Sequence, residues 1–191
     1  MYHQSGNGIS SQQRLYELQE RLQNMSKKIP IKYQHKLGLE SLSTLAHLLL
    51  DDTVYQIVVE LTELQQMQEK ILHQQRSQIV NRHKTEQNAL LKTQQQEVIS
   101  AKSQGKEHVA ARLSILHKQQ NAELTDKHKL EILNLDEKIL KTLDQKVAEQ
   151  QSTLEQVGVP CFFVTDDAIE IRLQIYILGF IVKLGNIKVP P

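Results

Sequence analysis

Apolar residues recur along this chain at three- and four-residue steps, the spacing of one helix face, and their density divides the chain into elements. Leu15, Leu18 and Leu22 mark a short helix that ends near Lys28, with Pro30 as its stop and Ser10 with Gln13 at capping-box spacing at its start. Leu42 to Leu50 is apolar nearly all round, so it should be a buried helix, with Ser41 as its expected N-cap. Asp51-Asp52-Thr53 then offers a cap for a much longer helix, whose dense early stripe is Val54, Ile57, Val58, Leu61 and Leu64. The seam continues through Gln68, Leu72, Gln75 and Ile79, after which glutamine fills positions that suit leucine. It resumes at Val109, Leu113 and Leu116. It is best formed late, at Leu133, Leu140, Leu143, Val147, Leu154 and Val157, with Asp136 and Gln150 in two seam positions. Gly158 and Pro160 stop this helix. The last element, Ala168 to Leu184, fits a strand through Ile169, Ile171, Leu173, Ile175 and Ile177, or a helix face through Ile169, Leu173, Tyr176 with Ile177, Phe180 with Ile181, and Leu184. Helix is preferred. Asp166, Asp167 and Glu170 suit a helix N-terminus, and no second strong strand is present to pair with it.

Punctuation turns this pattern into an architecture. Between Asp52 and Val157 there is no proline and a single glycine, Gly105. The region therefore predicts two helices of about 50 residues, each roughly 75 Å long at 1.5 Å per residue. Helices of that length cannot be wrapped by a small globular core and must lie against other helices. The strong seams lie at the start of the first long helix and the end of the second, so a fold at Gly105 sets strong against strong. The expectation is an all-α protein: a long antiparallel coiled-coil hairpin with a small helical head formed by both chain ends. The expected parts are a disordered tail 1–9, head helices 10–51, and a stalk 52–157 turning near 103–107. A connector and C-terminal head helix over 158–184 and a tail 185–191 complete the chain. One exposed glycine costs a helix only about 1 kcal/mol, so two unbroken helices in a parallel homodimer form the alternative.

Composition narrows the function classes. The chain has 191 residues, 39% hydrophobic but only 4% aromatic with no Trp, which suits a narrow aliphatic core. A net charge of +1 gives no global attraction to nucleic acid or membrane. Basic residues outnumber acidic ones from Lys70 to Lys129, and acidic residues dominate from Glu131 to Glu170. Cys161 is the only cysteine, which rules out an internal disulfide and suits a reducing compartment. The N-terminus lacks the basic and apolar blocks of a secretory signal. The apolar run Ile175 to Val182 is too short to span a bilayer. The expected location is nucleus or cytoplasm, not secreted.

No His-x-x-x-His or Glu-x-x-His spacing occurs, so the eight histidines read as solvated helix positions and no metal is expected. Cys161 lies beside Phe162 and Phe163 with no histidine near it in sequence, so a packed thiol is expected in place of a nucleophile. Gly6-Asn-Gly8 lies in a tail and forms no phosphate loop. The basic middle has its charges spaced singly among acids and glutamines, with no aromatic interleaving, which disfavours direct nucleic-acid binding.

Two blocks carry wording beyond generic coiled coil: Leu45-Ala-His-Leu-Leu-Leu-Asp-Asp-Thr-Val-Tyr-Gln-Ile-Val58-Val59 and Asp144 to Val159, above all Gln150-Gln-Ser-Thr-Leu-Glu155 followed by Gly158-Val159. On these blocks the chain closely resembles the gonadal protein family over about residues 29–184. The resemblance implies coiled-coil character, no enzymatic activity, no catalytic or ligand residues, a nuclear or cytoplasmic location, and a regulatory setting that includes development and the germline.

The reading is a non-enzymatic coiled-coil structural or adaptor protein, without cofactor or small-molecule substrate. It would bind other proteins through helix pairing, with a homodimer as an open option and no membrane contact. Gln68, Gln75, Asp136 and Gln150 would set register and partner choice. The alternative is a nuclear regulator that contacts nucleic acid or chromatin through the basic middle of the stalk. Phe162 and Phe163 are the candidate interaction residues. Adjacent residues in an extended segment point opposite ways, so one can anchor the connector while the other faces outward.

Overall fold

The structure is a computed structural model and describes residues 11–187. The expected tail 1–9, the capping residue Ser10 and residues 188–191 lie outside the described residues. Six helices follow in order: α1 (Ser11–Ser26), α2 (Ile31–Gln34), α3 (Leu39–Leu48), α4 (Thr53–Ser103), α5 (Glu107–Gln156) and α6 (Ala168–Ile187). No strand occurs among the described residues. The fold is all-α, with α4 and α5 forming a long antiparallel hairpin and the remaining helices gathered at the two chain ends.

Local chemistry explains the breaks. At the hairpin turn Gly105 has φ +70°, a left-handed conformation that costs residues with a Cβ about 1–2 kcal/mol. The Lys106 N–H donates to the Ala101 carbonyl at 3.0 Å and the Gly105 N–H to that of Lys102 at 2.9 Å, the paired bonds of a Schellman cap. The chain reverses here, so the alternative of two unbroken helices does not hold. α5 ends in the same motif: Gly158 has φ +82°, Val159 N–H donates to Leu154 O at 3.0 Å, and Gly158 N–H to Glu155 O at 2.9 Å. α4 begins where Asp51 Oδ1 accepts the Thr53 N–H at 3.0 Å. α6 begins where Asp167 Oδ1 accepts the N–H groups of Ile169 and Glu170 at 2.7 and 3.1 Å. Those two bonds, to Glu170 first and Ile169 second, hold the Asp167 carboxyl below its ordinary range.

Three boundaries differ from the sequence pattern. Pro30 opens a single extra turn, α2, because its fixed φ suits the position before a helix. α3 starts at Leu39 with Gly38 as N-cap, so Ser41 lies inside the helix instead of capping it. α6 continues past Leu184 to Ile187, where the tail was expected to begin. Gly185 allows this: a Cβ there would lie 2.9 Å from Cδ1 of Tyr55, so only glycine lets α6 pass this close to the start of α4.

The chain divides into two compact units, one formed by the residues up to Gln66 with those from Gln145 onward, the other by Met67–Asp144. In the first, Leu22, Leu45, Leu49, Leu154, Leu173, Ile177 and Ile181 are fully buried and Tyr33 packs on Tyr176 with ring centres 5.3 Å apart. Each such side chain contributes about 1.5–3 kcal/mol of burial. Lys36 and Glu170 form an ion pair, and Gln19 Nε2 donates to Ser43 Oγ at 3.1 Å. α5 joins α4 here through Gln150, whose Nε2 donates to Leu61 O at 3.4 Å and Gln65 Oε1 at 3.2 Å.

The second unit is the turn end of the helix pair, and its seam is largely polar. Arg76 makes a two-point pair with Asp136, at 2.7 and 3.1 Å. His83 on α4 donates to Glu131 on α5 at 2.8 Å, while His128 on α5 donates to Glu86 on α4 at 2.9 Å. The two imidazoles stack with ring centres 3.8 Å apart. Further along, Gln94 Nε2 donates to Gln120 and its Oε1 accepts from Asn121, and His117 donates to Glu97 at 2.8 Å. His83, His117 and Gln94 are buried. The expectation of solvated histidines therefore fails at His83, His117 and the half-buried His128: each is drawn into the seam by a carboxylate on the facing helix. Near the turn Ala101 and Ala110 are buried and small, which lets the backbones close together.

The expected seam residues are not all inside. Leu133 and Leu140 are 65% and 61% exposed, and Val147 and Leu64 are exposed as well. α5 carries two apolar stripes, one with Leu135 and Ile139 and one with Leu133 and Leu140, and one facing helix covers a single stripe. The inner positions Leu135 and Ile139 are half-buried. On α4 Gln75 is exposed, and its neighbour Arg76, also exposed, reaches across to Asp136 on the facing helix.

Candidate functional site

The connector between α5 and α6 concentrates the unusual features of the first unit. It leaves α5 through the Gly158 cap, and Cys161 then takes φ +64°, the one positive φ at a non-glycine residue among the described residues. This residue swings the following backbone so that Phe162 and Phe163 diverge. Phe162 is buried in the core at 6% exposure, and Phe163 is 40% exposed, followed by Val164 at 56%. Cys161 itself is half-buried, and burial is the largest influence that pushes its thiol above the usual range. That shift makes it a poorer nucleophile, since the thiolate is the reactive form.

Two buried glutamines hold the connector in place. Gln174 on α6 is 3% exposed and Gln151 on α5 is 4% exposed. Gln174 Nε2 donates to the carbonyls of Cys161 and Phe163 at 3.3 and 3.0 Å, and its Oε1 accepts from Gln151 Nε2 at 2.9 Å. Gln151 also donates to Thr165 O and accepts the Thr165 N–H, both at 3.2 Å, as a short two-bond mimic of a strand pairing. These amides meet the carbonyls of Cys161 and Phe163 and both backbone polar groups of Thr165, which the extended segment cannot pair for itself. The effect is a rigid loop with an aromatic and a valine facing outward.

Sequence reading singled out Phe162 and Phe163 but missed the glutamines. Gln174 sits among isoleucines and leucines in the most apolar helix, and that isolation in an apolar run was the available signal. No group of three or more His, Cys, Asp or Glu side chains suited to a metal ion occurs among the described residues. None of the described helices is long and apolar enough to cross a membrane.

These features define an all-α helical-hairpin protein whose chain ends build a helical head with a braced, outward-facing connector. The chain belongs to the DiGeorge syndrome critical region 6 (DGCR6) protein family, whose model matches residues 1–190. Among its relatives, Protein DGCR6 of Gallus gallus is 35% identical over 173 residues, covering 91% of this chain and 84% of the relative. Gonadal protein gdl of Drosophila melanogaster is 31% identical over 185 residues, covering 94% and 84%. No solved structure matches the chain.

Proposed function

We propose that this protein is a non-enzymatic coiled-coil adaptor that binds other proteins, with the connector as one docking point. The observation that carries this reading is the pairing of an exposed Phe163 with a backbone locked by Gln174 and Gln151. Interface energy concentrates in a few aromatic anchors, and an anchor on a pre-ordered loop loses little entropy on binding. The outward Leu133 and Leu140 stripe supports the same reading, since it offers a helix face to a further helix. The name of the Drosophila relative, Gonadal protein gdl, favours a gonadal setting; a germline role and a nuclear or cytoplasmic location are part of the same proposal. The test replaces Phe163 and Phe162 singly by Ser and measures melting and recovery of native partners. Phe163→Ser should keep its melting temperature and lose partners, while Phe162→Ser should unfold the head. Full partner retention by a folded Phe163→Ser protein refutes the connector as a docking point.

A second reading, contact with nucleic acid through the basic middle, draws support from Lys84, Lys118 and Lys129, which line shallow grooves on the helix pair. It is weakened because Arg76, Arg82 and the seam histidines are already paired to carboxylates. Salt separates the readings: nucleic-acid binding falls steeply between about 50 and 200 mM salt, and apolar helix docking does not.

A further inference from the structure

α6 buries one face in the head and turns a second apolar stripe outward. Ile171, Ile175, Leu178 and Val182 follow one another at steps of four, three and four, the spacing of a coiled-coil seam. Ile175 and Val182 are 51% and 43% exposed, and Ile171 and Leu178 are half-buried. Among the described residues Leu178 rests partly against the core, while Ile175 and Val182 stay open.

Gly179 lies beside the stripe in the middle of the helix. A Cβ built there meets nothing within 4 Å, in contrast to Gly185, where it meets Tyr55. Glycine is the least favourable residue after proline in a helix interior. At Gly179 no packing among the described residues calls for it, whereas a second helix drawn close over the stripe would.

Charge identifies the occupant. On one flank of the stripe stand Arg172 and Lys183, both exposed. On the other flank α4 places Glu60, which with Val59 lines a groove of about 330 Å³ shared with Val182 and Gly185. Arg172, Lys183 and Glu60 take part in none of the ion pairs among the described residues. Opposite charges on the two flanks of one seam are what a self-pairing parallel helix needs, because each flank then meets the other flank of its mate. An antiparallel pairing would set the Arg172 and Lys183 flank against itself and is disfavoured.

We propose that this protein forms a two-fold symmetric homodimer through parallel pairing of α6, with Lys183 of each copy facing Glu60 of the other and Gly179 at the close approach. The arrangement is isologous, so one patch serves both copies. It also sets two connectors side by side and so doubles the docking point. The dimer goes beyond the adaptor reading and does not depend on it, since it is tested on the purified chain with no partner present.

The experiment is sedimentation equilibrium of the full chain across the micromolar range, with circular dichroism to confirm that each variant is folded. The wild-type chain should be a concentration-dependent dimer. Ile175→Ser and Val182→Ser should each weaken it on the order of tenfold or more. Gly179→Ala should raise the helix stability of the monomer while weakening the dimer, a split that a purely structural glycine would not give. Lys183→Glu and Glu60→Lys should each weaken association, and the double swap should restore it. A wild-type monomer throughout overturns the proposal, as does a monomer that instead pellets with anionic lipid vesicles. A dimer indifferent to Ile175→Ser, or single charge reversals that the double swap fails to rescue, overturns it equally.

Discussion

Replacing Gln174 by Leu removes the centre of the amide brace while nearly keeping its volume. Three hydrogen bonds disappear: two to the carbonyls of Cys161 and Phe163 and one from Gln151. At about 0.5–1.5 kcal/mol net for each bond the loss sums to roughly 1.5–4.5 kcal/mol. The carbonyls left behind lie against the core and regain water only if the connector moves. The apolar burial of Leu returns part of this, so a net cost of about 2–3 kcal/mol is expected. At about 2–4 °C per kcal/mol for a chain of this size, the melting temperature should fall by roughly 4–12 °C. Gln151→Leu should cost a similar amount, because it orphans both backbone groups of Thr165. The double variant should cost less than the sum of the singles by on the order of 1 kcal/mol, as expected for groups in one network. Urea unfolding followed by circular dichroism gives the energies, and amide exchange at Thr165 reports the connector directly. A Gln174→Leu protein within about 0.5 kcal/mol of wild type, or strict additivity in the double variant, would mean that water already serves these carbonyls and that the connector is not braced as described.

Leu154→Ala and Ile177→Ala, both fully buried, should each cost about 2–5 kcal/mol in urea unfolding, whereas Leu133→Ala and Leu140→Ala should stay within about 0.5 kcal/mol. Equal losses at the four sites would place the outer stripe inside a seam. Glu131 is held at about 2, well below its ordinary 4.5, first by the hydrogen bond from His83 and then by that from Arg82. A carboxyl depressed on folding stabilises fully above its unfolded value, so this contribution should be lost as pH falls from about 4.5 toward 2. A Glu131→Gln protein should therefore lose less stability than wild type across that window, and parallel curves would contradict the pairing. Gly105→Ala should destabilise the hairpin by about 1–2 kcal/mol, because alanine resists φ +70° even with open space around it. A neutral result by thermal melting would show that the turn relaxes freely.

Much of this fold follows from local rules that operate on nearby residues. A hundred residues without proline, broken once by Gly105, leave the backbone little choice but two long helices. Gly158 and Asp167 place the stop and the restart through hydrogen bonds that span only a few positions. The head core was legible for the same reason, since Leu45, Leu154, Leu173 and Ile177 sit at helical spacing in apolar runs. What the tertiary structure decided is which of two faces each helix turns inward. α5 and α6 both carry two apolar stripes, and periodicity within one helix cannot say which stripe a distant helix will cover. On α5 the choice puts Leu135 and Ile139 inside and Leu133 and Leu140 outside, against the better heptad. The seam histidines and the Gln151–Gln174 brace were hidden for a related reason. Their partners lie 14 to 48 positions away, so the energy that justifies burying a polar side chain exists only once those helices have met.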